Sequence, residues 1–277
     1  MFDPPISSTH EEAPVSPPPR GVSFGQTTDR GRLRRDNEDH LASAPDLGFF
    51  MVADGVGGGP AGAIASRIAT AAMLQSLRTR PDAPQSDNPA TSQREPAGPV
   101  ETHAPRLVAA ALSAHELICA HARRHGQQGA ATTRAALWLT RDHYLVANAG
   151  DSRVYRLAGE DSLQQLTKDH TVIQELLERH GSVSEQWMQR LGHVVTQVLG
   201  GRRERPPAVQ IAAGPVTKRE VFLLCTDGLT NMVPERRIAS VLATVDSPQE
   251  ASDILVDLAN EAGGLDNITC IVVHIDP

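Results

Sequence analysis

Short apolar runs that end beside an aspartate restrict the fold of this sequence more than any other feature. The run at residues 49–53 stops at Asp54, and the run at 221–225 is followed by Asp227 and a glycine. Runs of this length that stop at turn-forming residues are typical of buried strands. Each of four such aspartates stands next to glycine or asparagine: Asp54, Asp151, Asp227 and Asp266. If the strands pack together, these four side chains lie at sheet edges.

The periodicity of the apolar residues predicts both helices and strands. Helical spacing predicts helices over 62–77, 106–124, 172–179 and 250–262. Apolar runs bounded by turns predict strands over 49–53, 135–139, 144–149, 154–157, 221–225 and 268–275. Because strands and helices do not alternate strictly, this pattern predicts an α+β fold with a mainly antiparallel sheet.

Two proline-rich segments differ in composition from the rest of the chain. Residues 1–20 contain six of the 20 prolines, and residues 79–105 contain another six with few large apolar residues. Such composition is typical of disordered or extended chain. We therefore expect a disordered tail over 1–21 and one domain over 22–277, with a flexible surface insertion over 79–105.

Charge and cysteine content exclude several classes of protein. With 26 basic and 33 acidic residues the net charge is −7, which argues against a nucleic-acid partner. Cys119, Cys225 and Cys270 are far apart among apolar residues, which favours free thiols over a disulfide framework. No stretch approaches the roughly 18 apolar residues of a membrane span. We expect a cytoplasmic protein that does not associate with a membrane.

The clustered aspartates predict a cation site. Carboxylates that converge repel one another, and oxygen ligands suit Mg²⁺ or Mn²⁺. A single Asp-Gly pair is more often an ordinary turn. Four aspartates at strand ends, together with the neighbouring pair Glu38 and Asp39, make that interpretation much weaker.

Six short motifs resemble those of the metal-dependent protein phosphatases of type 2C, most closely the bacterial members. They occur in the order and spacing of that family, between about residues 23 and 275. The motifs are RRDNED at 34–39, VADGVGG at 52–58, GDSR at 150–153, LTKDH at 166–170, CTDGL at 225–229 and DNIT at 266–269. The resemblance implies a β-sandwich of two antiparallel sheets flanked by helices on both sides (α-β-β-α), with a variable flap at about 171–198.

The resemblance also implies a site that holds two Mn²⁺ or Mg²⁺ ions. Asp54 would bridge both ions, and Asp227 and Asp266 would complete one of them. Glu38 and the backbone carbonyl of Gly55 would complete the other. Asp151 with Asp227 would hold a third ion. Arg34 would bind the phosphate of the substrate, and Asp39 and Asn267 would support the metal ligands.

The function implied by the resemblance is hydrolysis of phosphoserine and phosphothreonine in proteins by a hydroxide that bridges the two metals. Phosphorylated proteins would be the substrates, and the enzyme would oppose a bacterial Ser/Thr kinase. Val56 replaces a histidine that eukaryotic members use as the proposed general acid, and Asn231 replaces an aspartate near the third ion. A catalytically silent binding module is the alternative. A haloacid dehalogenase mechanism is disfavoured, since Asp54-Gly55-Val56 lacks the second aspartate of Asp-x-Asp.

Overall fold

The computed structural model of the protein describes residues 21–56, 59–79, 99–159, 162–202 and 206–276. The expected tail at 1–20 and the central part of the expected insertion, 80–98, lie outside the described residues. Disorder of these two segments therefore stays a prediction.

Sheet I consists of five antiparallel strands. Their spatial order is β1 (Val22–Asp29), β13 (Ile268–Ile275), β12 (Glu220–Cys225), β8 (Arg153–Ala158) and β9 (Leu163–Gln165). Cys225 at the end of β12 lies opposite Cys270 near the start of β13. The residues that follow β12 and those that precede β13 are consequently at the same end of these two neighbouring strands.

Sheet II also has five antiparallel strands. Their order is β11 (Gln210–Pro215), β7 (His143–Ala149), β6 (Arg134–Leu139), β3 (Phe49–Ala53) and β2 (His40–Ala44). A smaller ladder joins β10 (Leu199–Gly200), β5 (Ala131–Thr132) and β4 (Gly55–Val56). Every residue of β3 is buried, as expected of an apolar run in the middle of a sheet.

The two sheets pack face to face, and helices cover both outer faces. Between the sheets lie the side chains of Phe50, Val52, Phe222 and Ile271, among others. Helices α1 (Pro60–Arg78) and α2 (Pro99–His125) pack on sheet II. Helices α6 (Glu235–Thr244) and α7 (Pro248–Glu261) pack on sheet I. This arrangement confirms the predicted α+β sandwich with helices on both sides.

Helix α2 corrects the predicted end of the insertion at residue 105. The helix begins at Pro99 and contains Pro105. The ring of His103, which is 1% exposed, packs edge-on against Trp138 of β6 with 4.5 Å between ring centroids. Contact with the core therefore holds residues 99–105 in the helix, although their proline content suggests otherwise.

The expected flap contains two helices, α3 (Val172–His180) and α4 (Glu185–Leu191). Gly181 ends α3 with a positive φ of 75°, and its N–H bonds to the Leu177 carbonyl, as the sequence predicts for a C-cap. Trp187 and Met188 on α4 are 55% and 50% exposed. Among the described residues, no helix is long and apolar enough to cross a membrane.

Candidate active site

The four predicted aspartates come from both sheets and converge at one end of the sandwich. Asp54 follows β3 of sheet II, whereas Asp227 begins α5 (Asp227–Thr230) directly after β12 of sheet I. Asp266 precedes β13, and Asp151 lies in the connection from β7 to β8, which links the two sheets. The fold therefore brings these residues together although up to 212 positions separate them along the chain (266 − 54).

These carboxyl groups are close enough for their charges to raise one another's pKa values. Burial raises the pKa of Asp54 well above its usual range, and the charges of Asp39, Asp227, Asp151 and Asp266 raise it further. Groups of like charge shift a pKa in this way only at short range. The centre is thus a concentration of negative charge that needs a positive partner.

Glu38 lies just before β2, against the start of helix α1, and is 8% exposed. Its Oε1 accepts a hydrogen bond of 2.6 Å from the Gly59 N–H at the start of α1. The chain packs so tightly here that a Cβ on Gly55 would lie 2.5 Å from the carbonyl oxygen of Gly62. A Cβ on Gly62 would collide with Oε2 of Glu38. Glycine at both positions therefore lets the backbone at Gly55 and the start of α1 approach each other and Glu38 closely.

Asp39 and Asn267 hold the surrounding backbone in place. The Asn267 Oδ1 accepts from the Glu38 N–H at 2.9 Å, and its Nδ2 donates to the carbonyl oxygens of Arg30 and Asp36. Oδ2 of Asp39 accepts from the Thr226 hydroxyl at 2.9 Å. Burial raises the pKa of Asp39 to about 7, with further contributions from Asp227 and Asp266.

Arg34 forms an ion pair with Asp266, with 2.6 Å between Nη2 and Oδ2. The Arg34 side chain is 46% exposed, and that of Asp266 is 31% exposed. The guanidinium group is thus at the entrance of the centre, where it is accessible to an anion from solution. In this arrangement it neutralises one of the expected metal ligands.

Asp227 and Asp151 lie deeper in the centre. Burial and the charge of Asp266 raise the pKa of Asp227, and a 3.0 Å hydrogen bond from the Asn231 amide partly offsets this effect. Burial and the charge of Asp227 raise the pKa of Asp151 to about 7, whereas Arg153 lowers it. Arg153 is itself bound through two nitrogens to Asp169 of the LTKDH motif.

A set of hydroxyl groups that the sequence did not single out positions Asp54. The Thr133 hydroxyl accepts from the Asp54 N–H at 3.0 Å and shares a hydrogen bond of 2.7 Å with Ser152. The Thr132 hydroxyl donates to the Asp54 carbonyl at 2.7 Å. The adjacent threonines after Ala131 were the available signal, but threonine is also common in ordinary strands.

The donor atoms of this centre fit a hard cation. Three buried carboxylate oxygens of this centre have no hydrogen-bond partner among the described residues: Oε2 of Glu38, Oδ1 of Asp39 and Oδ1 of Asp227. Buried, unpaired oxygens of this kind are costly unless a cation is bound. The side-chain conformations of the described residues nevertheless do not bring three His, Cys, Asp or Glu groups into a ready-made metal site. The ion pair between Arg34 and Asp266 is one reason, since it turns Asp266 towards a guanidinium.

A sandwich of two sheets with carboxylates gathered at one end is the arrangement that the resemblance to metal-dependent phosphatases implied. Residues 28–260 match the family model described as protein phosphatase 2C. The match includes more than half of the chain, and the chain therefore belongs to the protein phosphatase 2C family. It is a protein serine/threonine phosphatase of the bacterial type.

Individual relatives agree with this assignment. The serine/threonine phosphatase stp of Listeria welshimeri is 32% identical over 254 residues, which span 89% of this chain and 93% of the relative. The structure of PppA, described as a key regulatory component of T6SS in Pseudomonas aeruginosa, is 29% identical with a TM-score of 0.74, covering 92% of this chain and 97% of the other. The catalytic domain of the phosphatase PstP, solved in complex with two manganese ions, is 26% identical with a TM-score of 0.75, covering 92% of this chain and 99% of that domain.

Proposed function

We propose that this phosphatase hydrolyses phosphoserine and phosphothreonine in proteins with two divalent cations held by Asp54, Asp227, Asp266, Glu38 and the Gly55 carbonyl. Asp54 would be the residue shared by both cations. The observation that carries this proposal is the convergence of carboxylates from both sheets with buried oxygens left unpaired. Mn²⁺ and Mg²⁺ both suit these oxygen donors. PstP provides a precedent for manganese in a related catalytic domain.

The bound cations would supply a bridging hydroxide nucleophile near neutral pH and neutralise the charge that develops on the phosphoryl group. The protein itself contributes orientation. Thr132 and Thr133 fix the backbone of Asp54 through both its carbonyl and its N–H group. The Asn267 side chain fixes the N–H group of Glu38. No side chain is needed as a covalent nucleophile.

Arg34 binds the phosphate of the substrate in this proposal. Its guanidinium is half-exposed at the entrance and needs only to exchange the Asp266 carboxylate for phosphate oxygens. This exchange also frees Asp266 for its cation. Val56 cannot donate a proton, so the leaving serine or threonine oxygen takes its proton from water and not from a side chain at that position.

Asp151 with Asp227 forms the proposed position of a third cation. Asn231 donates a hydrogen bond to Asp227 and provides no negative charge there, so this third position is weaker than the first two. A Ser/Thr protein kinase of the same cell would generate the phosphoproteins that this enzyme hydrolyses. A silent binding module is disfavoured because it would keep a destabilising carboxylate cluster with no use for it.

The test measures hydrolysis of p-nitrophenyl phosphate and of a phosphothreonine peptide, with Mn²⁺ and with EDTA. Wild type is compared with Asp227→Ala, and Asp142→Ala is the matched control because its carboxyl is exposed far from the centre. We expect turnover that requires metal, is lost in Asp227→Ala and is kept in Asp142→Ala. Absence of turnover from folded wild type, both with Mn²⁺ and with Mg²⁺ in its place, would refute the proposal.

A further inference from the structure

A loop rich in arginine forms part of the rim of the carboxylate centre. Four of its six residues are arginines, namely Arg30, Arg32, Arg34 and Arg35, and all four are exposed. We call residues 30–35 the arginine loop. The whole chain carries a net charge of −7, so these four arginines are a local concentration of positive charge on an acidic protein.

Three of these arginines have no ion-pair partner among the described residues, and two of the three also form no side-chain hydrogen bond there. Arg34 pairs with Asp266, and Nη1 of Arg30 donates to the Arg35 carbonyl at 3.2 Å. The side chains of Arg32 and Arg35 form no ion pair and no side-chain hydrogen bond with any residue that the structure describes. Their guanidinium groups are therefore available to a ligand from solution.

The arginine loop is held firmly against the segment that carries Asp266. The N–H of Arg32 donates to the Gly264 carbonyl at 2.8 Å. The Asn267 amide donates to the Arg30 carbonyl at 2.8 Å. A Cβ on Gly31 would collide with the Asp266 carbonyl, so the two backbones are in close contact. The backbone that carries the positive charges thus has a defined position relative to the carboxylate centre. This favours binding, since the loop backbone needs little further ordering when a ligand binds.

The surroundings indicate a polypeptide as the ligand. Leu33 in the middle of the loop is 68% exposed, and Leu265 on the segment bound to it is 53% exposed. Exposed apolar side chains between arginines suit a peptide, which presents both carboxylates and apolar groups. A small anion would use only the arginines.

We infer that Arg32 and Arg35 bind acidic side chains next to the phosphorylated residue, so that acidic phosphoprotein segments are the preferred substrates. This inference rests on the proposed phosphatase function. Guanidinium groups bind carboxylates through paired hydrogen bonds. The two arginines also offset the repulsion that an acidic segment experiences from the carboxylate centre.

The test compares two phosphothreonine peptides that differ only in flanking glutamate or glutamine. The measured quantity is the ratio of their kcat/KM values with Mn²⁺, for wild type, Arg32→Gln, Arg35→Gln and the double variant. Exposed ion pairs are weak, so we expect each substitution to lower the ratio about threefold and the double variant about tenfold. Arg236→Gln, an exposed arginine on α6, is the matched control and should keep the wild-type ratio.

The outcomes separate this inference from the proposed function. A ratio near one in wild type, or a ratio that is unchanged in the double variant, refutes a role of the arginine loop while hydrolysis itself continues. A preference for the glutamine-flanked peptide would also refute it, because repulsion by the carboxylate centre would then dominate. Lack of hydrolysis of p-nitrophenyl phosphate and of every peptide would refute the proposed function and this inference together. Raising the salt concentration should reduce the ratio in wild type and less in the single variants, and should leave that of the double variant unchanged.

Discussion

Replacement of Asp39 by asparagine is expected to stabilise the metal-free protein, and the gain should grow with pH. Asp39 is 8% exposed, and burial and neighbouring charges raise its pKa from 3.8 to about 7. A carboxyl whose pKa is higher in the folded state favours folding at low pH. That contribution is lost as the pH rises through about 7, since the folded state must then hold an unfavourable charge.

The magnitude follows from the size of the shift. Each pKa unit corresponds to about 1.4 kcal/mol, so the cost of the Asp39 charge is about 4 kcal/mol at pH 8. At pH 5 the carboxyl is protonated in the folded state, and the cost falls to roughly 2 kcal/mol. Asparagine has the same shape without the charge. We therefore expect the stability advantage of Asp39→Asn over wild type to grow by about 2–3 kcal/mol between pH 5 and pH 8.

The assay is urea unfolding in EDTA at both pH values, for wild type, Asp39→Asn and the control Asp142→Asn. The control removes a carboxyl group that is exposed to solvent. An advantage that is the same at pH 5 and pH 8, or an Asp39→Asn protein less stable than wild type at pH 8, would show that the Thr226 hydrogen bond to Asp39 outweighs the charge.

Three further predictions concern the centre and the core. Gly62→Ala should strongly reduce turnover with Mn²⁺, because its Cβ would collide with Glu38 and displace it; circular dichroism checks that the variant is folded. Arg134→Met should raise the free energy of unfolding by about 1–3 kcal/mol in urea titrations, because the buried guanidinium leaves Nε and Nη2 unpaired and burial lowers its pKa to about 10. The increase in Tm on adding Mn²⁺ should be larger at pH 8 than at pH 6, because protons compete with the cation at Asp151, whose pKa is raised to about 7. Equal increases at the two pH values would contradict this last expectation.

The central strands were predictable from the sequence, whereas the edge strands were not. Strands β3, β6, β7, β12 and β13 are apolar runs because both faces are covered, one by the opposite sheet and one by helices. Strands β1, β2 and β11, which the apolar pattern did not reveal, each lie at the edge of a sheet. Edge strands are half-exposed and contain more polar residues, so they lack the signal of an apolar run.

Parts of the candidate site were predictable where its residues belong to a short motif that is visible in the sequence. Aspartate beside glycine at the end of a strand is such a motif, and it indicated Asp54 and Asp227 as candidate residues before the fold was known. The ion pair of Arg34 with Asp266 joins residues 232 positions apart, so no local pattern could predict it. The same holds for the hydrogen bond from the Asp54 N–H to the Thr133 hydroxyl, because these two residues are 79 positions apart.

The position of the centre explains how the fold tolerates its own repulsion. Asp54 is fixed by sheet II and Asp227 by sheet I, so the carboxylates can separate only if the sheets move apart. The apolar layer between the sheets, which includes Phe50 and Phe222, opposes such movement because it would expose buried surface. A cation that binds between the sheets relieves the repulsion without any rearrangement of that layer. Binding should therefore stabilise the whole sandwich and not only the loops that carry the ligands, as Asp39 and Asp227 both connect to β12 through Thr226.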